Sequence, residues 1–172
     1  MKQHLTVTTA PSTEAEKADP YFDYRPLVGG FNDHYDAYFY PSYAACIDET
    51  MLHWYGRGLP HLSYIPWKPK GLGTEVKTLC DYMCGLLFRM ELQESAGAMG
   101  VLLKAARDDF GGAVGRAITK TTACVLRLTR KLHYQSGPAG RRRDVIGDSW
   151  FARVEWRQPL LLTRCAFILW GR

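Results

Sequence analysis

The sequence predicts an α/β fold, a mixed sheet flanked by helices, on three observations. Two short apolar runs, "AACI" at 44–47 and "VIG" at 145–147, each stop at an aspartate, Asp48 and Asp148. The stretch "GLLFRMELQES" alternates, with Leu86, Phe88, Met90 and Leu92 to one side and Leu87, Arg89, Glu91 and Gln93 to the other. That is the period of a strand lying over a core. From Ala113 to Leu132 the period lengthens: Val114, Ile118, Thr121, Val125, Leu128 and Leu132 recur at steps of four and three, the stripe of a core-facing helix.

The elements follow in chain order. Residues 1–20, "MKQHLTVTTAPSTEAEKADP", read as a polar, disordered leader without the apolar run of a signal peptide. Residues 21–172 form one domain. "YRPLVGGFNDHYDAYFYPSY" is aromatic and helical up to its proline, and "AACI" is a buried strand ending at Asp48. Residues 49–73 carry prolines at 60, 66 and 69 and glycines at 56, 58, 71 and 73, which predicts a long ordered loop. "TEVKTLCD" and "GLLFRMELQES" pair around the turn "YMCG". After the helix and the loop "HYQSGPAGRRR" come the strand "VIG", a helix from Ser149 or Trp150, and a last strand at "RCAFILWG". Three strands in a meander followed by strand–helix–strand units give a mixed sheet covered by helices.

Composition bounds the function. With 47% hydrophobic and 23% charged residues the chain is globular rather than disordered or fibrous. The apolar runs are short and broken by Arg89 and Arg164, so none spans a bilayer, and an intracellular protein is expected. A net charge of +5 and a pI near 9.0 lean toward an anionic partner. The five cysteines, at 46, 80, 84, 124 and 165, form no paired framework, as suits a reducing compartment. Cys80 and Cys84 could join His53 or His61 around zinc. A second ligand pair at regular spacing is missing, so buried, unliganded thiols are the better reading. The helix at 113–132 places Arg116, Lys120, Arg127, Arg130 and Lys131 mostly off its apolar stripe. They form either a solvated face or one lying near phosphates.

The two aspartates pose the chemical question. If their strands are neighbours, the strand ends lie about 4.8 Å apart, and two carboxylates that close repel unless a cation lies between them. Mg²⁺ takes such hard oxygen ligands together with water and substrate phosphate. A two-metal site of this kind clamps both oxygens of an in-line phosphoryl displacement. The plainer alternative is that both are ordinary strand-end or capping residues.

"CIDETM", then "GRGLPHLSYIPWKPKGLGTEVKTLCD", "GLLFRMELQES" and "VIGDSWFARV" together resemble the catalytic domain of piggyBac-type transposases and the proteins derived from them. The likeness runs from about Tyr24 to the C-terminus. It rests on the Asp-Glu pair, the Gly-Arg, the Pro-x-Lys-Pro, the Gly-x-Glu-x-Lys strand and the Gly-Asp-Ser-Trp-Phe turn, in that order. The resemblance implies a ribonuclease-H-like fold and cut-and-paste DNA transposition through three carboxylates and two divalent metals, Mg²⁺ or Mn²⁺. It makes Asp48 and Asp148 the first two catalytic, metal-holding aspartates. Arg57, Lys68, Lys70 and Lys77 fall in the family's basic segment, where contact with DNA phosphate is expected. A nuclear location follows from the resemblance alone.

The departures shape the expectation. The third aspartate that the resemblance implies would lie beyond the strand at "AFILWGR". The expected N-terminal DNA-binding and dimerisation region and the C-terminal cysteine-rich module are largely missing. Pro159 would shorten or kink the helix after Asp148, and "GPAGRRR" is longer and more basic than the family's usual turn. The chain therefore reads as a truncated catalytic domain, its sheet incomplete on the C-terminal side and open to self-association. Metal binding is expected to be weak and cleavage negligible. The alternatives are a non-catalytic DNA-binding or partner-binding module, or a nuclease that borrows its third carboxylate from a second chain.

Overall fold

A computed structural model describes residues 12–53, 62–66, 68–130, 132, 143–148, 150–151 and, for the backbone, 165–169. Among these residues the sheet is six-stranded: β1 (Ala44–His53), β2 (Ser63–Tyr64), β3 (Leu72–Asp81), β4 (Leu87–Leu92), β5 (Arg143–Gly147) and β6 (Cys165–Leu169). Its order is β2-β3-β1-β5-β6, with β4 also paired to β3. β1, β3 and β4 form an antiparallel meander, and β5 and β6 run parallel to β1. This is the mixed sheet flanked by helices that the sequence predicts, in keeping with the ribonuclease-H-like fold that the resemblance implies.

One strand is longer than expected. β1 does not stop at Asp48; it continues to His53, with Glu49 opposite Lys77 and His53 opposite Gly73. Ladder pairing with β3, rather than burial, sustains this polar half. Gly73 permits it, because a Cβ there would collide with the carbonyl of Leu52. The expected loop therefore shrinks to the residues between His53 and Leu72, interrupted by β2. Within it, Ile65 donates its amide to the carbonyl of Gly71 at 2.9 Å and Lys68 donates to the carbonyl of Ile65 at 3.1 Å.

The helices also depart from expectation. Within the stretch read as a leader, Glu14–Ala18 forms α1, held by a capping box between Thr13 and Glu16. α2 (Arg25–Tyr38) lies along β4. α3 (Ala96–Phe110), capped by Ser95 and ended by Gly111 at φ 61°, was not foreseen; the glycines of "AGAMG" break up its apolar period. The single helix expected over 113–132 is two, α4 (Gly112–Ala117) and α5 (Lys120–Leu128). They part at Ile118, which is extended, and Thr119 restarts the helix by accepting from the amide of Thr122 at 3.2 Å.

The foreseen stripe does point inward. Ile118, Val125, Leu128 and Leu132 are buried and pack with Ala45, Ile47, Leu79, Phe88, Val145 and Phe151 in one cluster. Each large side chain so buried contributes about 1.5–3 kcal/mol. α5 is enclosed on most sides, with Thr122, Ala123, Cys124 and Leu126 also buried. Arg127 is drawn into this interior by a bidentate pair with Glu91, both bonds at 2.7 Å. Burial pushes the Cys124 thiol well above its usual range, the state of an inert core cysteine.

β4 is closed on its outer side by α2. Met90 has its amide and carbonyl turned away from β3, and the Asn32 side chain bonds both at 2.9 Å. Arg89 pairs with Asp36 of the same helix at 2.7 Å. Residues 133–142 and 152–164, including "GPAGRR" at 137–142, Pro159 and most of the helix expected after Asp148, lie outside the described residues. Among the described residues no helix is long and apolar enough to cross a membrane.

Candidate functional site

The register between β1 and β5 brings the two aspartates together. The parallel pairing runs from Ala44 opposite Asp144 to Ile47 opposite Gly147. Asp48 and Asp148 are the next residues on each chain, so they stand side by side where that pairing ends. Both are exposed. Asp48 sits in the middle of β1, not at its terminus, and β1 carries on past it to back the site with β3.

Each carboxylate is half engaged. Asp48 Oδ1 accepts from the Glu49 amide at 2.7 Å. Asp148 Oδ1 accepts from the amides of Trp150 at 3.0 Å and Phe151 at 3.4 Å, closing a turn just after the strand. Among the described residues nothing bonds Oδ2 of either. Two hard oxygens on adjacent strands, each braced by its partner atom, fit a divalent ion of the Mg²⁺ or Mn²⁺ type. Among the described residues no group of three or more His, Cys, Asp or Glu side chains could hold a metal.

The basic residues do not share one environment. Lys68 is half-buried and its Nζ donates to the carbonyl of Glu49 at 3.1 Å, tying the loop to β1 beside Asp48. Lys70 is exposed two residues further on. Arg57 lies outside the described residues. Lys77 is 3% exposed. Its ammonium pairs with Glu49 and Glu75 and sits 3.9 Å from the centre of the Trp150 ring. Phosphate contact through Lys77 would require leaving both carboxylates. Burial pushes the Glu49 carboxyl up, Lys77 draws it down, and nearby Glu75 adds to the upward push.

Glu75 and Trp150 have places in this site that sequence reasoning did not assign. The signals were present: Glu75 is two residues before Lys77 in the same strand, and Trp150 two after Asp148. Among the described residues Cys80 and Cys84 belong to no metal-holding group; Cys84 is exposed rather than buried as expected, and Cys80 is half-buried, which raises its thiol above the usual range.

The sheet places Asp48 within β1 and Asp148 just past the end of β5. The family model described as Transposase IS4 matches residues 2–161, and the chain belongs to that family. The enzymes of this family generally depend on divalent metal ions. Among solved structures, a piggyBac transposase synaptic complex with hairpin DNA is similar, with a TM-score of 0.69 and 19% identity. The alignment covers 92% of this chain and 29% of that one. The likeness shows a shared fold, and the chain spans less than a third of that transposase's length. No curated protein matches the chain.

Proposed function

We propose that this chain is a fragment or degenerate copy of a piggyBac-type DNA transposase, carrying two of its metal-holding aspartates and not cleaving DNA by itself. The observation that supports this reading is the parallel register of β1 with β5, which ends at Ile47 opposite Gly147, the residues just before Asp48 and Asp148. Mg²⁺ or Mn²⁺ would be held through the unbonded Oδ2 of each aspartate, and when bound would stabilise charge on a phosphate oxygen. The chain's own residues brace the carboxylates and offer the loop of Lys68 and Lys70, with Arg57, to a DNA backbone. Phosphoryl transfer needs metal positions held accurately. Two carboxylates without a third ligating group among the described residues support weak binding and negligible cleavage. Action on nuclear DNA and self-association through the sheet belong to the same proposal.

A second reading, a DNA-binding module without catalysis, is favoured by the exposure of Lys70 beside the site. One set of assays separates the two. Mn²⁺ titration followed by electron paramagnetic resonance should show weak binding that Asp48→Asn and Asp148→Asn each abolish. Labelled duplex DNA should stay uncut in Mg²⁺ or Mn²⁺. Cleavage that those substitutions abolish would overturn the non-cleaving reading. Salt-sensitive DNA binding untouched by them, without Mn²⁺ binding, would select the module.

A further inference from the structure

The turn that presents Asp148 is anchored at two points. Phe151 is fully buried in the core cluster. Trp150 is 43% exposed and rests on the ammonium of Lys77. A cavity of about 250 Å³ opens beside the ring, lined in part by Gln93, Met99, Lys120 and Cys124, so packing alone does not fix the indole. The ring meets Phe151 edge-on at 4.8 Å, and the cation on its face is itself paired twice. Lys77 is in the middle of β3, and its ammonium is gripped by Glu49, the neighbour of Asp48, and by Glu75. A desolvated ammonium on an indole face attracts the ring more strongly than an exposed one does, and so favours the turn geometry that keeps the two in contact.

We infer that Lys77 is a positioning residue: its ammonium, clamped by Glu49 and Glu75, docks Trp150 and so sets the Asp148 turn in register with Asp48. This deepens the proposed function and rests on it only for the purpose the positioning serves. Lys77 acts through Trp150 and Glu49, which join the two aspartate-bearing segments by a route other than the backbone ladder. A lysine in the basic segment thereby takes a role distinct from phosphate contact.

The test reads the turn directly. Amide hydrogen exchange by ¹⁵N NMR is followed at Trp150 and Phe151, the donors to Asp148, against amides in the β1–β3 ladder as a reference for global stability. Trp150→Leu, which removes the ring without unpairing a buried charge, should speed exchange at the two turn amides at least fivefold more than in the ladder. Trp150→Phe should restore most of the protection, and Lys77→Arg more than Lys77→Met. Uniform acceleration, or none at the turn, would overturn the proposal. The same samples are titrated with Mn²⁺. Wild type that fails to bind, or binds regardless of Asp148→Asn, would sink the metal reading, while the exchange data still decide whether Lys77 holds the turn.

Discussion

Along β1 and the strands beside it stand aspartates of two opposite kinds. At the end where the strand enters the sheet, Asp81 stands opposite Ala45 and is 2% exposed. Its Oδ2 accepts from the Ser42 amide at 2.6 Å, and its Oδ1 from Met83 at 2.9 Å and Cys84 at 3.0 Å. Burial pushes this carboxyl up, but the backbone donors win and hold it down at about 2. Arg143 completes that end, fully buried and donating to the carbonyls of Ser42 at 3.0 Å and Pro41 at 3.2 Å. Farther along, Asp48 and Asp148 are exposed, with one oxygen engaged and one not. The lesson is that saturation, more than residue type or strand position, separates a carboxylate that holds the chain from one with an oxygen to spare.

Substitutions can break that comparison, beginning at the saturated end. Asp81→Ala removes a charged acceptor from three backbone donors and should cost about 3 kcal/mol, read as a lower midpoint in urea. An Asp81→Ala protein as stable as wild type would erase the distinction. The pH dependence sharpens it. A folded-state value near 2, below the ordinary 3.8, means that Asp81 stabilises the fold above the unfolded value. That contribution, about 2 kcal/mol, is lost as pH falls from about 4 toward 2. The loss should be missing from Asp81→Ala when unfolding is measured across that window.

At the half-engaged pair, Asp48→Asn and Asp148→Asn should each change stability by no more than about 0.5 kcal/mol, because an amide oxygen can keep the local bond. Thermal unfolding checks this; a large loss at either position would make it a structural aspartate like Asp81. The smallest effect belongs to Lys70→Ala. It should leave unfolding unchanged and reduce the salt dependence of DNA binding by about one counterion, seen in the slope of affinity against salt.

Much of this was readable in the sequence because burial and strand period write themselves into residue order. "AACI", "VIG" and the alternation through Phe88 and Met90 fixed the strands, and the 113–132 stripe supplied the inward-facing residues of α5. What was hidden depends on partners. Glu49–His53 looks like loop because its strand is held by ladder bonds to β3, not by an apolar face. α3 was masked by the small residues of its first turn. Thr119 splits the expected helix by capping, and composition does not reveal which threonine caps. Lys77 misled for a related reason: lysine is rarely buried unless paired, and its partners, Glu49, Glu75 and Trp150, come from three separate segments. Arg57 and the end of the chain past Phe151, apart from the β6 backbone, lie outside the described residues.

The Asn32 side chain that occupies both main-chain groups of Met90 closes one margin of the sheet at that point. An incoming strand at β4 would find no unpaired donor or acceptor at that position, with the Arg89–Asp36 pair standing beside it. On the opposite margin, β6 is joined to β5 and, among the described residues, to no further strand. At Met90, then, the β4 margin offers an incoming strand no main-chain group to pair with, and α2 lies where such a strand would run.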